Sequence, residues 1–186
     1  MRLFVAIDLP EDIKQQMGAL HFGVPDAKWS KPENAHLTLA FLGEISMPDM
    51  GDAGIALGRI KAPVFDLQIE GIGVFGNDRR PRVLWAGFSS NPQLQHLQQK
   101  ITQALSASGI SLEDRRFKPH ITLARIHRSP YEKVREYLSE YSLFRTRPFH
   151  VDHFSLFSSV LGQGGPHYEE EIIFDLEPLS LEPTAS

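Results

Sequence analysis

The chain predicts a two-lobed fold of mixed strands and helices, built from one strand-helix-strand unit used twice. Three observations predict it. The run His36-Leu37-Thr38-Leu39-Ala40-Phe41 returns 84 positions later as His120-Ile121-Thr122-Leu123-Ala124-Arg125. Arg2-Leu3-Phe4-Val5-Ala6 resembles Arg82-Val83-Leu84-Trp85-Ala86 at an offset of 80, and both runs lead into a proline-started helix. Pro63-Val64-Phe65 and Pro148-Phe149-His150 lie 85 apart and open strands that reach Val74-Phe75 and Leu156-Phe157. Offsets of 80 to 85 held over three elements mark an internal duplication.

The elements follow in order. Arg2 to Leu9 reads as a buried strand, and Pro10-Glu11-Asp12 opens a helix with Ile13, Met17 and Leu20 as its apolar stripe. Lys28 to Ser30 forms a short strand, and Lys31-Pro32-Glu33-Asn34 a turn that delivers the first motif strand, 36 to 42, which Gly43 ends. A helix around 47 to 60 is weakened by Gly51, Gly54 and Gly58. Strands at 64 to 75 and 82 to 88 are joined by the turn Gly76-Asn77-Asp78 and Arg79-Arg80-Pro81. Asn91-Pro92 caps a helix with Leu94, Leu97, Ile101 and Leu105 on one face, ending near Gly109. Phe117 to Ile126 holds the second motif strand, and Ser129-Pro130 starts a helix striped by Tyr131, Val134, Leu138 and Tyr141. Strands near 148 to 158 and 167 to 176 close the chain around the loop Gly162-Gln163-Gly164-Gly165-Pro166. The last strand lacks a following helix, so it behaves as a third copy of the Arg2 and Arg82 strands and pairs back with the N-terminal region. The first lobe is then built from both chain ends and the second from the middle. No linker or low-complexity run divides the chain, so residues 1–186 are expected to form one bilobed domain.

With 41% hydrophobic residues, the 186-residue chain can bury a substantial core. No run of about 18 apolar residues is present, and Met1-Arg2-Leu3-Phe4 leads straight into a strand pattern. Cysteine is absent, which excludes disulfides and thiolate catalysis. A cytoplasmic monomer with no membrane partner is expected. The net charge of −4 argues against tight sequence-independent binding to long nucleic acid. Its distribution is uneven, because residues 60 to 150 carry 14 Lys or Arg against 8 Asp or Glu. Clusters at Arg79-Arg80-Arg82, Arg115-Arg116-Lys118, Arg125-Arg128 and Arg145-Arg147 would draw an anion to one part of the surface.

The doubled motif carries the chemistry. With eight His and five Thr in 186 residues, chance supplies about 0.2 His-x-Thr pairs. Two copies, both followed by Leu-Ala, mean more than one. On a strand, residues i and i+2 share a face about 6.6 Å apart, so each imidazole and hydroxyl can reach different atoms of one phosphate-sized group. An unperturbed pKa of about 6.5 lets one histidine be neutral and the other charged, a general base and a general acid. Thr38 and Thr122 would donate to non-bridging oxygens, and Arg125 could add a bidentate clamp. Strict alternation, however, places Arg125 on the face opposite His120, so it can help only if the strand ends, twists or bulges there.

Competing chemistries find little support. There is no His-x-His, HExxH or cysteine to assemble zinc, and no glycine-rich loop ending in Lys-Ser or Lys-Thr for a nucleoside triphosphate. His150 and His153 fall on opposite faces of a predicted strand and read as structural or exposed. No metal or cofactor is expected. Phosphoester chemistry without a metal needs an activated substrate, and a strained cyclic phosphate qualifies.

HLTLAFLGE and FKPHITLAR resemble the paired HxTx signatures of the 2H phosphoesterase superfamily, and most resemble the bacterial and archaeal RNA 2',3'-cyclic phosphodiesterases once described as 2'-5' RNA ligases. The likeness extends over essentially the whole chain, including RLFVAIDLP. It implies a bilobed α+β fold with two antiparallel sheets, flanked by helices, around a central cleft. It implies hydrolysis of a terminal 2',3'-cyclic phosphate on RNA 3' ends or small nucleotides to a 2'-phosphomonoester, without metal. By the same resemblance His36 is the proton donor to the leaving 3'-oxygen and His120 the base acting on water. Thr38, Thr122 and Arg125 hold the phosphate, while Phe41, at the place matching Arg125, either lines the site or belongs to the core. Two alternatives stay open. Joining of 2'-5' RNA uses the same groups in reverse, and a non-catalytic nucleotide-phosphate binding module would need no pair of histidines, since Arg or Lys serves binding alone.

Overall fold

The computed structural model describes residues 2–77, 79–113, 116–163 and 165–179. Met1, Asp78 of the expected turn, Arg115 of the basic cluster and Gly164 of the expected loop lie outside the described residues. The chain forms β1 (Arg2–Asp8), α1 (Glu11–Ala19), β2 (Ala27–Trp29), a 3-10 turn (Pro32–Asn34), β3 (His36–Glu44) and α2 (Met47–Gly58). It continues with β4 (Phe65–Leu67), β5 (Ile69–Asn77), β6 (Arg80–Phe88), α3 (Pro92–Ala107) and β7 (His120–Ile126). It ends with α4 (Tyr131–Glu140), β8 (Phe149–Val151), β9 (His153–Gly162) and β10 (Gly165–Asp175).

Two four-stranded antiparallel sheets result, ordered β10-β9-β1-β3 and β2-β7-β6-β5, with a two-stranded ribbon of β4 and β8. The fold is α+β, as expected. Each of the long runs expected at 64–75 and 148–158 is two strands: a short one pairs with its counterpart in the ribbon, and the longer one crosses to the other unit's sheet. Thus β5 follows β3 and α2 but joins β6, whereas β9 follows β7 and α4 but joins β1. The N-terminal sheet is therefore closed by the C-terminal segment, with one correction. β9, not β10, pairs with β1, and β10 forms the outer edge.

Alternation on β1 explains where the core sits. Leu3, Val5 and Ile7 are almost wholly buried on one face, leaving Phe4, Ala6 and Asp8 on the other. α2 packs on α3 and touches β10, α3 lies on β3, and α4 touches β6. The Tyr137 hydroxyl donates to the Leu20 carbonyl at 2.9 Å, tying α4 to the end of α1. On α4 the buried stripe is Val134 and Tyr137, while Tyr131 stays exposed.

The helix at 47–58 forms despite its glycines because a capping box holds its start. Asp49 N donates to the Ser46 hydroxyl at 3.2 Å, and Ser46 N to the Asp49 carboxylate at 3.4 Å. The Asn91 side chain caps α3 by accepting from Leu94 N at 2.9 Å. β3 runs through Gly43 to Glu44, because Gly43 takes a φ of 71° and lets the strand absorb an irregularity rather than end. β7 starts at His120 rather than Phe117.

Candidate active site

Both motif strands carry the same irregularity at the same place. Against β1, β3 pairs His36 with Asp8, Thr38 with Ala6, Ala40 with Val5 and Phe41 with Phe4, so Leu39 is an extra residue. Against β6, β7 pairs His120 with Gly87, Thr122 with Trp85, Ala124 with Leu84 and Arg125 with Val83, so Leu123 is extra. A bulge reverses the alternation beyond it. Leu39 with Ala40, and Leu123 with Ala124, are consecutive buried residues, and Phe41 and Arg125 come round to the face of the histidines and threonines. The bulge resolves the difficulty over Arg125. The burial patterns of the two strands agree residue for residue over the motif.

Each histidine is also held in the same way. The His36 ring contacts the Asn34 carbonyl through Nδ1 at 2.7 Å, and the His120 ring contacts the Lys118 carbonyl through Nδ1 at 2.6 Å. A carbonyl oxygen only accepts, so Nδ1 carries a proton in both rings and Nε2 is the atom that gains or loses one. Asn34 closes the 3-10 turn, which packs so tightly on α1 that a Cβ on Gly18 would lie 2.9 Å from Pro32 Cγ. Burial pushes the His36 pKa below the ordinary histidine value, with smaller contributions the same way from Lys14 and His120. The Asn34 carbonyl and the Asp8 carboxylate oppose the shift. β3 touches β7 directly, and His120 contributes to the His36 shift across that contact.

The walls around the histidines differ. On the first sheet, Phe4 is 4% exposed and makes ring contacts with His36, Phe41, Phe157 and Tyr168 at centroid distances of 4.9, 6.2, 5.4 and 5.1 Å. Tyr168 also stands edge-on to His36 at 5.1 Å. A cavity of about 190 Å³ opens here, lined by Asp8, Lys14, Asn34, His36, Phe157 and Tyr168 among others, with Lys14 held to Asp8 at 2.8 Å. Phe41 is 58% exposed, which removes the core reading for it.

On the second sheet, Phe75 stands perpendicular to His120 at 4.7 Å, and Lys118 Nζ lies 5.1 and 5.0 Å from the centroids of Phe75 and Trp85. The Trp85 indole covers Gly73 so closely that a Cβ there would meet it at 2.3 Å, and the indole nitrogen is buried without a hydrogen-bond partner among the described residues. Burial pushes the Tyr168 phenol up and the Arg125 charge partly offsets this. Arg125 on the second sheet therefore acts on a ring of the first that touches His36.

The structure thus brings His36, Thr38 and Phe41 onto one face, and His120, Thr122 and Arg125 onto the other strand's matching face. The cluster Arg145-Arg147 does not join them, because Arg145 pairs with Glu70 and Arg147 with Asp12 at 2.8 Å. His150 pairs with Asp66 at 2.8 Å and His153 with Asp152 at 2.5 Å, both partly exposed, as structural or surface residues would be. Among the described residues, no three His, Cys, Asp or Glu side chains gather into a possible metal set, and no helix is long and apolar enough to cross a membrane. Sequence reasoning missed Phe4, Phe75, Trp85 and Tyr168. A signal for Phe4 was present, since an aromatic on the non-core parity of Leu3-Val5-Ile7 needs a partner on the second face.

A family model described as LigT like phosphoesterase matches residues 7–85 and 88–168, and each segment contains one His-x-Thr strand. The chain is 32% identical over 178 residues to the RNA 2',3'-cyclic phosphodiesterase of Archaeoglobus fulgidus, covering 94% of this chain and 100% of that protein. It is 34% identical over 180 residues to the RNA 2',3'-cyclic phosphodiesterase of Thermotoga maritima, covering 91% and 92%. The crystal structure of E. coli LigT complexed with 3'-AMP is similar at a TM-score of 0.75 and 30% identity, covering 94% of this chain and 97% of that one. The crystal structure of a Thermus thermophilus protein gives a TM-score of 0.74 and 29% identity, with 94% and 97% covered. With the match spanning both halves of the duplication, the chain belongs to the LigT-like phosphoesterase family.

Proposed function

We propose that this protein hydrolyses terminal 2',3'-cyclic phosphates of RNA to 2'-phosphomonoesters by acid-base catalysis between His36 and His120, within one bilobed domain that works without a metal. The observation that carries the reading is the twice-built bulged strand, which sets His, Thr and the residue at 41 or 125 on one face in each copy. His120 Nε2 takes a proton from water as the water oxygen bonds to phosphorus. The bond from phosphorus to the 3'-oxygen breaks, and that oxygen takes the proton from His36 Nε2, leaving a 3'-hydroxyl and a 2'-phosphate. The Thr38 and Thr122 hydroxyls and the Arg125 guanidinium meet the charge growing on the non-bridging oxygens.

His36 must be charged at the start, yet burial lowers its pKa in the free protein. The anionic substrate supplies the missing stabilisation, so proton uptake by His36 accompanies binding. The nucleoside attached to the leaving oxygen lies toward His36, beside the aromatic cavity of Phe157 and Tyr168, whose Phe4 is in ring contact with Phe41. Phosphorus NMR of the product from a 2',3'-cyclic nucleotide tests the reading. A 2'-phosphomonoester formed in the presence of a chelator is expected, and an unchanged cyclic phosphate or a 3'-phosphate overturns it.

A further inference from the structure

The β5–β6 hairpin carries cations that the chemistry above does not use. Its register contains a further bulge: Val83 pairs with Phe75 and Pro81 with Gly76, so Arg82 is the extra residue. The bulge turns the strand, placing Arg80, the partner of Asn77, on the face of Val83 and Trp85, the wall that bears Lys118 and Arg125. Gly76 is required at this point, since its φ is 119° and a Cβ would meet the Arg80 carbonyl oxygen at 2.5 Å. The Asn77 side-chain oxygen accepts from the backbone N–H of Arg79 at 3.1 Å and of Arg80 at 2.7 Å.

We propose that Arg80 forms a subsite for the RNA backbone upstream of the reacting terminus, so that the preferred substrate is an oligonucleotide rather than a mononucleotide. The proposal rests on the phosphodiesterase reading above and adds a substrate length to it. Arg80 is exposed and has no ion-pair partner among the described residues, whereas Lys14, Arg145 and Arg147 are neutralised by Asp8, Glu70 and Asp12. Arg82, the extra residue, falls with Pro81 on the opposite face of the strand. The row of Arg80 lies two strand residues, about 6.6 Å, beyond the row that holds Arg125. A backbone phosphate next to a reacting phosphate held by Arg125 falls within such a span. The facing wall turns the chain toward the hairpin, because Lys14 in its cavity is paired with Asp8 and leaves Glu33 and Glu170, which repel a phosphodiester. Arginine suits the task, since its fork binds phosphate oxygens in pairs.

The test compares kcat/KM for a 2',3'-cyclic mononucleotide and for a short oligoribonucleotide with the same terminal nucleotide. One backbone contact adds a salt slope of about −0.7 on logarithmic axes, so the oligonucleotide should lose about 2.6-fold more than the mononucleotide between 50 and 200 mM salt. R80Q should remove that extra slope and the oligonucleotide advantage while leaving mononucleotide turnover unchanged. R59Q/K61Q, which removes two charges on another part of the chain, should change neither. An oligonucleotide advantage and salt slope that survive in R80Q overturn the subsite and leave the phosphodiesterase reading intact. If neither substrate turns over, that reading falls, and fluorescence anisotropy of a labelled oligonucleotide 3'-phosphate tests the subsite alone. Equal affinity for the parent protein and R80Q then overturns it.

Discussion

The two walls of the cleft share a backbone and differ in the cross-strand neighbours that stand on it. His36 faces Asp8, where His120 faces Gly87. Thr38 lies in a row with Ala6 and Ser155, where Thr122 lies with Trp85 and Gly73. Phe41 lies with Phe4 and Phe157, where Arg125 lies with Val83 and Phe75. Duplication therefore explains why two histidines and two threonines are presented alike, and the neighbours explain how the two presentations come to differ. A paired Asp8 and Lys14 and a cluster of four aromatic rings flank one histidine, while Phe75 with the cations Lys118 and Arg125 flanks the other.

The largest expected effect breaks the pair itself. H36A and H120A should each lose about 10²- to 10⁴-fold in kcat on a cyclic nucleotide, the usual range for a general acid or base. They should part on a phosphodiester whose leaving group is p-nitrophenolate, which departs without a proton. On that substrate H36A should approach the parent rate while H120A stays impaired, and equal recovery of both would remove the division of roles.

Next come the matching positions 41 and 125. R125Q should lower kcat about 100-fold, as loss of a donor to a developing anion does, whereas F41A should raise KM a few-fold with little change in kcat. Steady-state kinetics separates the two, and similar effects at both positions would make the walls equivalent after all.

The electrostatic difference can be read by NMR titration of His36. Its pKa is expected below the ordinary 6.5. D8N should lower it further by removing a stabilising anion, and K14M should raise it by removing a cation. Stability follows in sign: below pH 6.5 the unfolded chain takes a proton that the folded His36 resists, so stability falls with pH until His36 itself titrates. Addition of a phosphate-bearing nucleotide should move the His36 pKa upward.

The smallest effects concern packing beneath each wall. G73A forces the Trp85 indole off its seat and should cost about 1–3 kcal/mol in denaturant unfolding, with a change in tryptophan fluorescence. At the corresponding place on the other wall, the Ser155 hydroxyl is buried without a partner among the described residues, so S155A should be neutral or stabilising by about 1 kcal/mol.

Much of this was legible along the chain. Alternation exposed His36 with Thr38 and His120 with Thr122, and the offset of the repeats exposed the two lobes. The bulges were not legible, because Leu39-Ala40 and Leu123-Ala124 contain no glycine or proline to mark them, and only the cross-strand register reveals the extra residue. The breaks before Ile69 and His153 were hidden for a similar reason, since extended character continues on both sides while the pairing partner changes. The Tyr168 contact with His36 joins residues 132 positions apart on strands that do not pair, which no local pattern encodes.

By itself, then, the sequence determined the chemical groups, their two-residue spacing and their duplication, since these depend on local backbone geometry that a strand repeats wherever it lies. Tertiary structure alone decided that Arg125 shares a face with His120, that β9 rather than β10 is the strand beside β1, and that Asp8 and the aromatic cavity belong to His36. Those outcomes follow from hydrogen-bond register and from packing between distant strands, and register is a property of two strands together rather than of either one.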